Sequence, residues 1–294
     1  MQPRPVRGPS RLGLIARAAA VLLLAAAGVT ATASGAGAAS AERYVALGDS
    51  AASGPLVLPQ THLGCTRSGN NYAGYVARAL GVAAFKDVTC SGADTTDFYS
   101  PQGTDLGDVP PQLDALSADT TLVTVHIGAN DIDLLDLATD CFNWLPAPFG
   151  DPCADDYNEG GQDGWRTATD GLKPTIRQVV ADVRARAPQA RIFLVGYATY
   201  MPKNGCYPTV PVQGGDANYI RTTLTYFNAM LRSAASESGA GYVDLQTPSE
   251  GHDACKPPGT RWVEPYIPGS IAAPFHPNRV GMENYSRAVL ATIA

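Results

Sequence analysis

Four short segments of the chain carry residue types suited to acyl transfer. Gly48-Asp49-Ser50-Ala51-Ala52-Ser53-Gly54 sets a serine on a turn whose flanking glycines permit tight backbone geometry. A hydroxyl held there can be presented as a nucleophile with backbone N–H groups beside it. Cys90-Ser91-Gly92-Ala93 offers a glycine amide next to a cysteine, and Gly128-Ala129-Asn130-Asp131 an uncharged side-chain donor. Phe275-His276-Pro277-Asn278 places a histidine on a helix-entry turn. Each segment also has an ordinary structural reading: Gly92 as a turn residue, Asn130 and Asp131 as helix caps, His276 as a surface residue. Together they supply what acyl transfer to water requires: Ser50 as nucleophile, His276 as base, and oxyanion donors from the Ser50 amide, the Gly92 amide and the Asn130 side chain.

These segments follow runs that read as buried strands. Arg43–Leu47 stands immediately before Gly48, and Ala84–Thr89, Thr121–Ile127, Arg191–Gly196 and Gly241–Leu245 have the same character, apolar on both faces as parallel strands are. Helical stripes lie between them. Ile176, Val179, Val180 and Val183 form one, with Pro174 expected in its first turn; Ile220, Leu224, Phe227 and Leu231 form another. A last helix is expected from Pro277 or Asn278, turning Met282, Tyr285, Val289 and Ile293 inward. The alternation predicts an α/β fold, a three-layer α/β/α sandwich on a central parallel sheet, with chemistry in the loops at the carboxyl ends of the strands.

The first 38 residues read as a secretory leader: Arg4, Arg7, Arg11 and Arg17 precede the apolar run 18–29, with no acid, and Ala36-Gly37-Ala38 offers a cleavage site. The run is too short to span a bilayer and no later segment is apolar enough, so no transmembrane anchor is expected after cleavage. Residues 39–294 are expected to form one extracellular domain and to act as a monomer. Loss of the four arginines takes the formal charge from −6 to −10. That charge argues against nucleic acid as a partner and against anionic lipid, leaving local apolar contact to engage any lipid substrate. All six cysteines, Cys65, Cys90, Cys141, Cys153, Cys206 and Cys255, fall in the exported part, so three disulfides are expected. With no C-x-x-C pair, neither a metal nor another cofactor is expected. Of the remaining histidines, His126 reads as a hydrogen-bonded core residue, His62 as solvated, and His252 as structural near Cys255.

In this order, GDSAASG, Gly92, GAND and FHPN resemble the four sequence blocks of the SGNH (GDSL-type) hydrolases, and with the six cysteines and the HDAC segment at residues 252–255, the secreted actinobacterial branch of esterases, lipases and phospholipases. The resemblance spans nearly all of residues 39–294 and implies the flavodoxin-like fold of that family. It also implies pairing of Cys65 with Cys90, Cys141 with Cys153 and Cys206 with Cys255. One position departs: the family usually carries an acid three residues before its histidine, and here that residue is Ala273. The backbone carbonyl of Ala273, or that of Pro274, is then expected to orient His276 in the manner of a Ser–His dyad, with Asp244 and Asp253 as more distant alternatives. The expected function is hydrolysis of carboxylic esters of lipid-like substrates through an acyl-enzyme on Ser50. Phospholipase A is the alternative within the class, and a non-catalytic binding protein on the same scaffold the alternative outside it. Apolar loops at 55–64 and 142–149 favour an acyl chain over a sugar.

Overall fold

The computed structural model describes residues 41–157 and 161–294. The expected leader, residues 1–38, lies outside the described residues. In chain order, β1 (Arg43–Gly48) runs into a single turn of helix, α1 (Ser50–Ser53). A small antiparallel pair, β2 (Gln60–His62) and β3 (Arg67–Ser68), precedes α2 (Tyr72–Leu80) and β4 (Ala84–Asp87). Then come β5 (Leu122–His126), the short α3 (Leu134–Asp140) and α4 (Cys153–Asp156), and the long α5 (Gly164–Arg186). The chain ends with β6 (Arg191–Val195), α6 (Gly214–Glu237), β7 (Gly241–Val243) and α7 (Arg279–Ile293).

Among the described residues β4-β1-β5-β6-β7 form a parallel sheet in that spatial order. The first strand stands second, so the chain winds outward in both directions from the β1–β5 pair. Such a switch point leaves a crevice at the carboxyl ends of those two strands, because the loops that follow them diverge to opposite sides. Ser50 follows β1 there, and Asn130 follows β5.

Alternation along the strands divides the core between the two faces. Val45, Leu47, Val123, Val125, Ile192 and Leu194 pack with α5 and α6, whereas Tyr44, Ala46, Leu122 and Val243 pack with α2 and α7. The apolar stripes of α5, α6 and α7 are buried as their spacing requires. Two expectations are corrected. β4 is half exposed rather than buried on both faces, because it is the sheet edge. Pro174 lies deep inside α5, not in its first turn. The helix is capped by Asp163, whose side chain accepts from the Arg166 amide, and Trp165, Thr169 and Leu172 carry the buried stripe backward past the proline. Burial of that stripe outweighs the one helical hydrogen bond a proline removes.

The six cysteines pair as Cys65–Cys90, Cys141–Cys153 and Cys206–Cys255. The first ties the β2–β3 hairpin to the loop after β4, the second closes the 142–152 loop, and the third joins the loops after β6 and β7.

Candidate active site

β1 delivers the serine through a turn held by hydrogen bonds on both sides of Ser50. Gly48 has φ +156°, and a Cβ there would stand 2.5 Å from the His126 carbonyl oxygen on the paired strand, so only glycine fits. The Gln112 side chain accepts from the Gly48 amide (2.7 Å) and donates to its carbonyl (3.0 Å). Asp49 caps α1 by accepting from the Ala51 amide at 2.8 Å, which leaves Ser50 at the helix start with its hydroxyl in the cleft.

His276 reaches the same cleft from the other end of the chain. Its Nε2 lies 2.8 Å from Ser50 Oγ, and its Nδ1 lies 2.7 Å from the Pro274 carbonyl. A carbonyl can only accept, so Nδ1 carries the proton and the Nε2 lone pair faces the serine hydroxyl. Burial pushes the imidazole below its ordinary value of 6.5, against the upward pull of the Pro274 carbonyl. The ring is therefore neutral, and able to accept a proton, at pH 7. Ala273 does not orient the ring: its carbonyl accepts the His276 backbone amide at 3.2 Å instead. The reason is local, since Phe275 takes φ +55°, a left-handed conformation unusual for a bulky residue, and reverses the chain so that the nearer carbonyl meets the ring.

The loop carrying His276 is anchored by Glu264, a fully buried carboxylate. It accepts from Gly269 N (2.8 Å), Ser270 Oγ (2.6 Å) and Asn278 Nδ2 (2.7 Å), and pairs with buried Arg261 at 2.7 Å. Burial alone would raise its pKa, but these partners outweigh it and hold the carboxyl below its ordinary value. Asp244 and Asp253 are engaged elsewhere, Asp244 with Thr247 and Arg232 and Asp253 with the Cys255 amide.

Asn130 lines the cleft with Ser50 and His276. One of its amide hydrogens is held by the Ala93 carbonyl at 2.7 Å, which sets the plane of the amide and leaves the other without a partner among the described residues. The neighbouring Asp131 accepts from Thr95 N at 3.1 Å and pins the loop after β4 to the loop after β5. Gly92 is exposed in that loop rather than in the cleft wall. Its φ of +79° rather than crowding favours glycine, since an added Cβ would come no nearer than 3.7 Å to another atom. The loop is tied to the serine turn by Cys90 N donating to the Gly48 carbonyl at 2.9 Å.

Like Glu264, the groups that position the serine turn were not marked by the sequence. Gln112 acts across 64 residues. Tyr197, just after β6, donates from its hydroxyl to Asp49 while accepting from the Ala129 amide at 3.2 Å, so one side chain joins the serine turn to the Asn130 loop. Asn228 holds Tyr197 in place through both backbone groups, at 2.8 Å each. Burial pushes the Asp49 carboxyl up to about 7, although the Tyr197 hydroxyl and Ala51 amide favour its charge.

The cleft floor is apolar. Leu134, Leu135 and Ala138 of α3, Met201, Val212, Ile220 and Leu224 line it. The loops 55–64 and 142–149, expected to hold an acyl chain, lie outside this lining. Among the other histidines, His126 is fully buried between the Tyr72 and Tyr197 rings, and its ring nitrogens make no hydrogen bond among the described residues. Burial drives it down to about 3, so it is a neutral packing group rather than a hydrogen-bonded one. His62 is half buried and accepts from the Cys65 amide, and His252 stacks on Trp262.

A parallel α/β/α sandwich with a Ser–His pair at its switch point defines a class of serine hydrolases, and the comparisons with known proteins specify it. Residues 46–283 match the model of the GDSL-like lipase/acylhydrolase family. A Streptomyces coelicolor protein named Lipase 2 is 41% identical over 246 residues, 81% of each chain. The crystal structure of a phospholipase A1 from Streptomyces albidoflavus superposes with a TM-score of 0.70 at 27% identity, covering 86% of this chain and all of that one. An extracellular lipase from Streptomyces rimosus gives 0.63 at 25% identity, again covering 86% of this chain and all of the other. The chain belongs to the GDSL-like lipase/acylhydrolase family and is a carboxylic ester hydrolase.

Proposed function

We propose that the protein is an extracellular lipase or esterase whose single domain, residues 39–294, cleaves lipid-like carboxylic esters through an acyl-enzyme on Ser50. The observation that carries this reading is the 2.8 Å contact between Ser50 Oγ and the unprotonated Nε2 of His276, above an apolar cleft. As the hydroxyl attacks the ester carbonyl, its proton passes to Nε2. The oxyanion accepts from the Ser50 amide and from Asn130 Nδ2. The imidazolium then protonates the departing alkoxide, and water repeats the sequence on the acyl-enzyme. The wall of Leu134, Ala138, Ile220 and Leu224 suits an acyl chain and offers a sugar few partners. The three disulfides and the similarity to a Streptomyces rimosus lipase described as extracellular support an extracellular setting.

The test is a panel of esters varied in acyl length and headgroup, phospholipids included, run on wild type, Ser50→Ala and Ile220→Trp. Ser50→Ala should lose essentially all turnover on every ester. Ile220→Trp should lose the long-chain esters while keeping the acetate. Turnover by folded Ser50→Ala, or a preference for acylated sugars, would contradict the reading.

A further inference from the structure

Large apolar side chains stand in water beside the cleft. Trp144, Leu145 and Phe149, in the loop closed by Cys141–Cys153, are 68%, 55% and 65% exposed, and Ile267 and Ile271, in the loop leading to His276, are 77% and 66% exposed. The two loops are one surface. Trp144 and Phe142 both pack on Tyr266, with ring centroids 6.4 and 4.8 Å apart, and Phe142 packs on Phe275 of the cleft wall at 5.9 Å. Phe142 also bridges to Val212, another cleft residue. The surface therefore runs unbroken into the acyl-binding floor. Neither 142–150 nor 265–275 contains an Asp, Glu, Lys or Arg, in a chain whose formal charge is −6.

We propose that this rim is a lipid-docking surface that seats the enzyme on a neutral or zwitterionic lipid layer with the cleft mouth facing it. The inference rests on the ester-hydrolase reading of the cleft. Continuity with the cleft selects the occupant: a second copy or a protein partner seated on the rim would cover the mouth, whereas a lipid layer presents ester to it. Exposed tryptophan and isoleucine in loops without a charged residue suit an acyl boundary, which needs no shape complementarity. An acidic chain with no cation in these loops has nothing to hold it on an anionic layer.

The experiment adds vesicles of non-hydrolysable ether-linked phosphatidylcholine to the wild-type protein and to a Trp144→Ser/Ile267→Ser double variant. Trp165 and Trp262 are each 8% exposed, so Trp144 is the tryptophan free to respond. Wild type should float with the vesicles and its emission should shift to the blue. The double variant should bind roughly tenfold more weakly or worse, and its turnover of emulsified triacylglycerol should fall in parallel. Its kcat/KM on a water-soluble short-chain ester should stay within about twofold of wild type, which also shows that it is folded. Failure of the wild type to float, equal binding by both proteins, or a wild-type dimer in solution that the double variant loses would each overturn the docking proposal. Absence of soluble-ester turnover in wild type would instead defeat the hydrolase reading, a distinguishable result.

Discussion

The proton on His276 Nδ1 is placed by a main-chain oxygen, and that choice has kinetic consequences. The Pro274 carbonyl accepts without carrying a full charge, so it raises the imidazole pKa less than a carboxylate would, and burial then takes the ring below 6.5. The proposed base is the neutral ring, and a lower pKa keeps it neutral further into acid. We predict that kcat/KM rises with pH through one ionisation whose midpoint lies below about 6.5. The midpoint should stay in place in Asp49→Asn, which separates it from the raised Asp49 carboxyl. Asp244→Asn and Asp253→Asn should each keep most of kcat; a thousandfold loss in either folded variant would show that a distant acid completes a triad. That Ser50, Asn130 and His276 share one cleft was legible because each sits in a short segment whose residue types suggest the chemistry proposed for them. Pro274 was not separable from Ala273, because the choice depends on the left-handed turn at Phe275, which a phenylalanine does not announce. Tyr197 and Gln112 were invisible for another reason: they meet Asp49 and Gly48 across 148 and 64 residues, and nothing local marks them.

At the scale of elements, the histidine loop is anchored by Glu264, which also binds Asn278, the N-cap of the last helix. Its stabilising effect has a definite sign with pH. A carboxyl held below its unfolded value adds stability that is fully present above that value and is lost as pH falls through the folded one. Glu264→Ala removes one partner of a buried pair and leaves Arg261 uncompensated, which typically costs about 3–5 kcal/mol. We expect denaturant unfolding of this variant to show a loss of that order, with kcat reduced more than KM is raised because His276 loses its placement. A variant as stable as wild type would remove Glu264 from this role. The strands and the stripes of α5, α6 and α7 were legible because buried strands and amphipathic helices have fixed periods. The start of α5 was not, because Pro174 reads as a boundary when the helix continues through it. Nor was α2, whose buried side is largely Tyr72, Ala73, Gly74, Val76 and Ala77 and so carries few large aliphatic residues.

For the whole molecule, the disulfides close loops of 25, 12 and 49 residues around one end of the sheet. Constraint of the unfolded chain grows with loop length, giving about 3 kcal/mol for the shortest and about 4 kcal/mol for the longest. Replacing Cys206 and Cys255 by serine should therefore lower Tm by roughly 10 °C, and replacing Cys141 and Cys153 should lower it by less. An unchanged Tm for the first pair would contradict the constraint. The sheet order follows from the same chain-wide logic: β1 stands inside the sheet, so the serine turn and the Asn130 loop flank one crevice, and α7 closes the fold behind the loop that brings His276 to it.

The central claim is that Ser50 is the activated nucleophile and His276 its activator, and reaction with a fluorophosphonate reads both at once. Peptide mapping after brief exposure should find one adduct, on Ser50, and His276→Ala should slow its formation by roughly 10²–10⁴-fold, the usual contribution of a positioned base. An adduct on another residue, or labelling of Ser50 at the same rate without His276, would contradict the account.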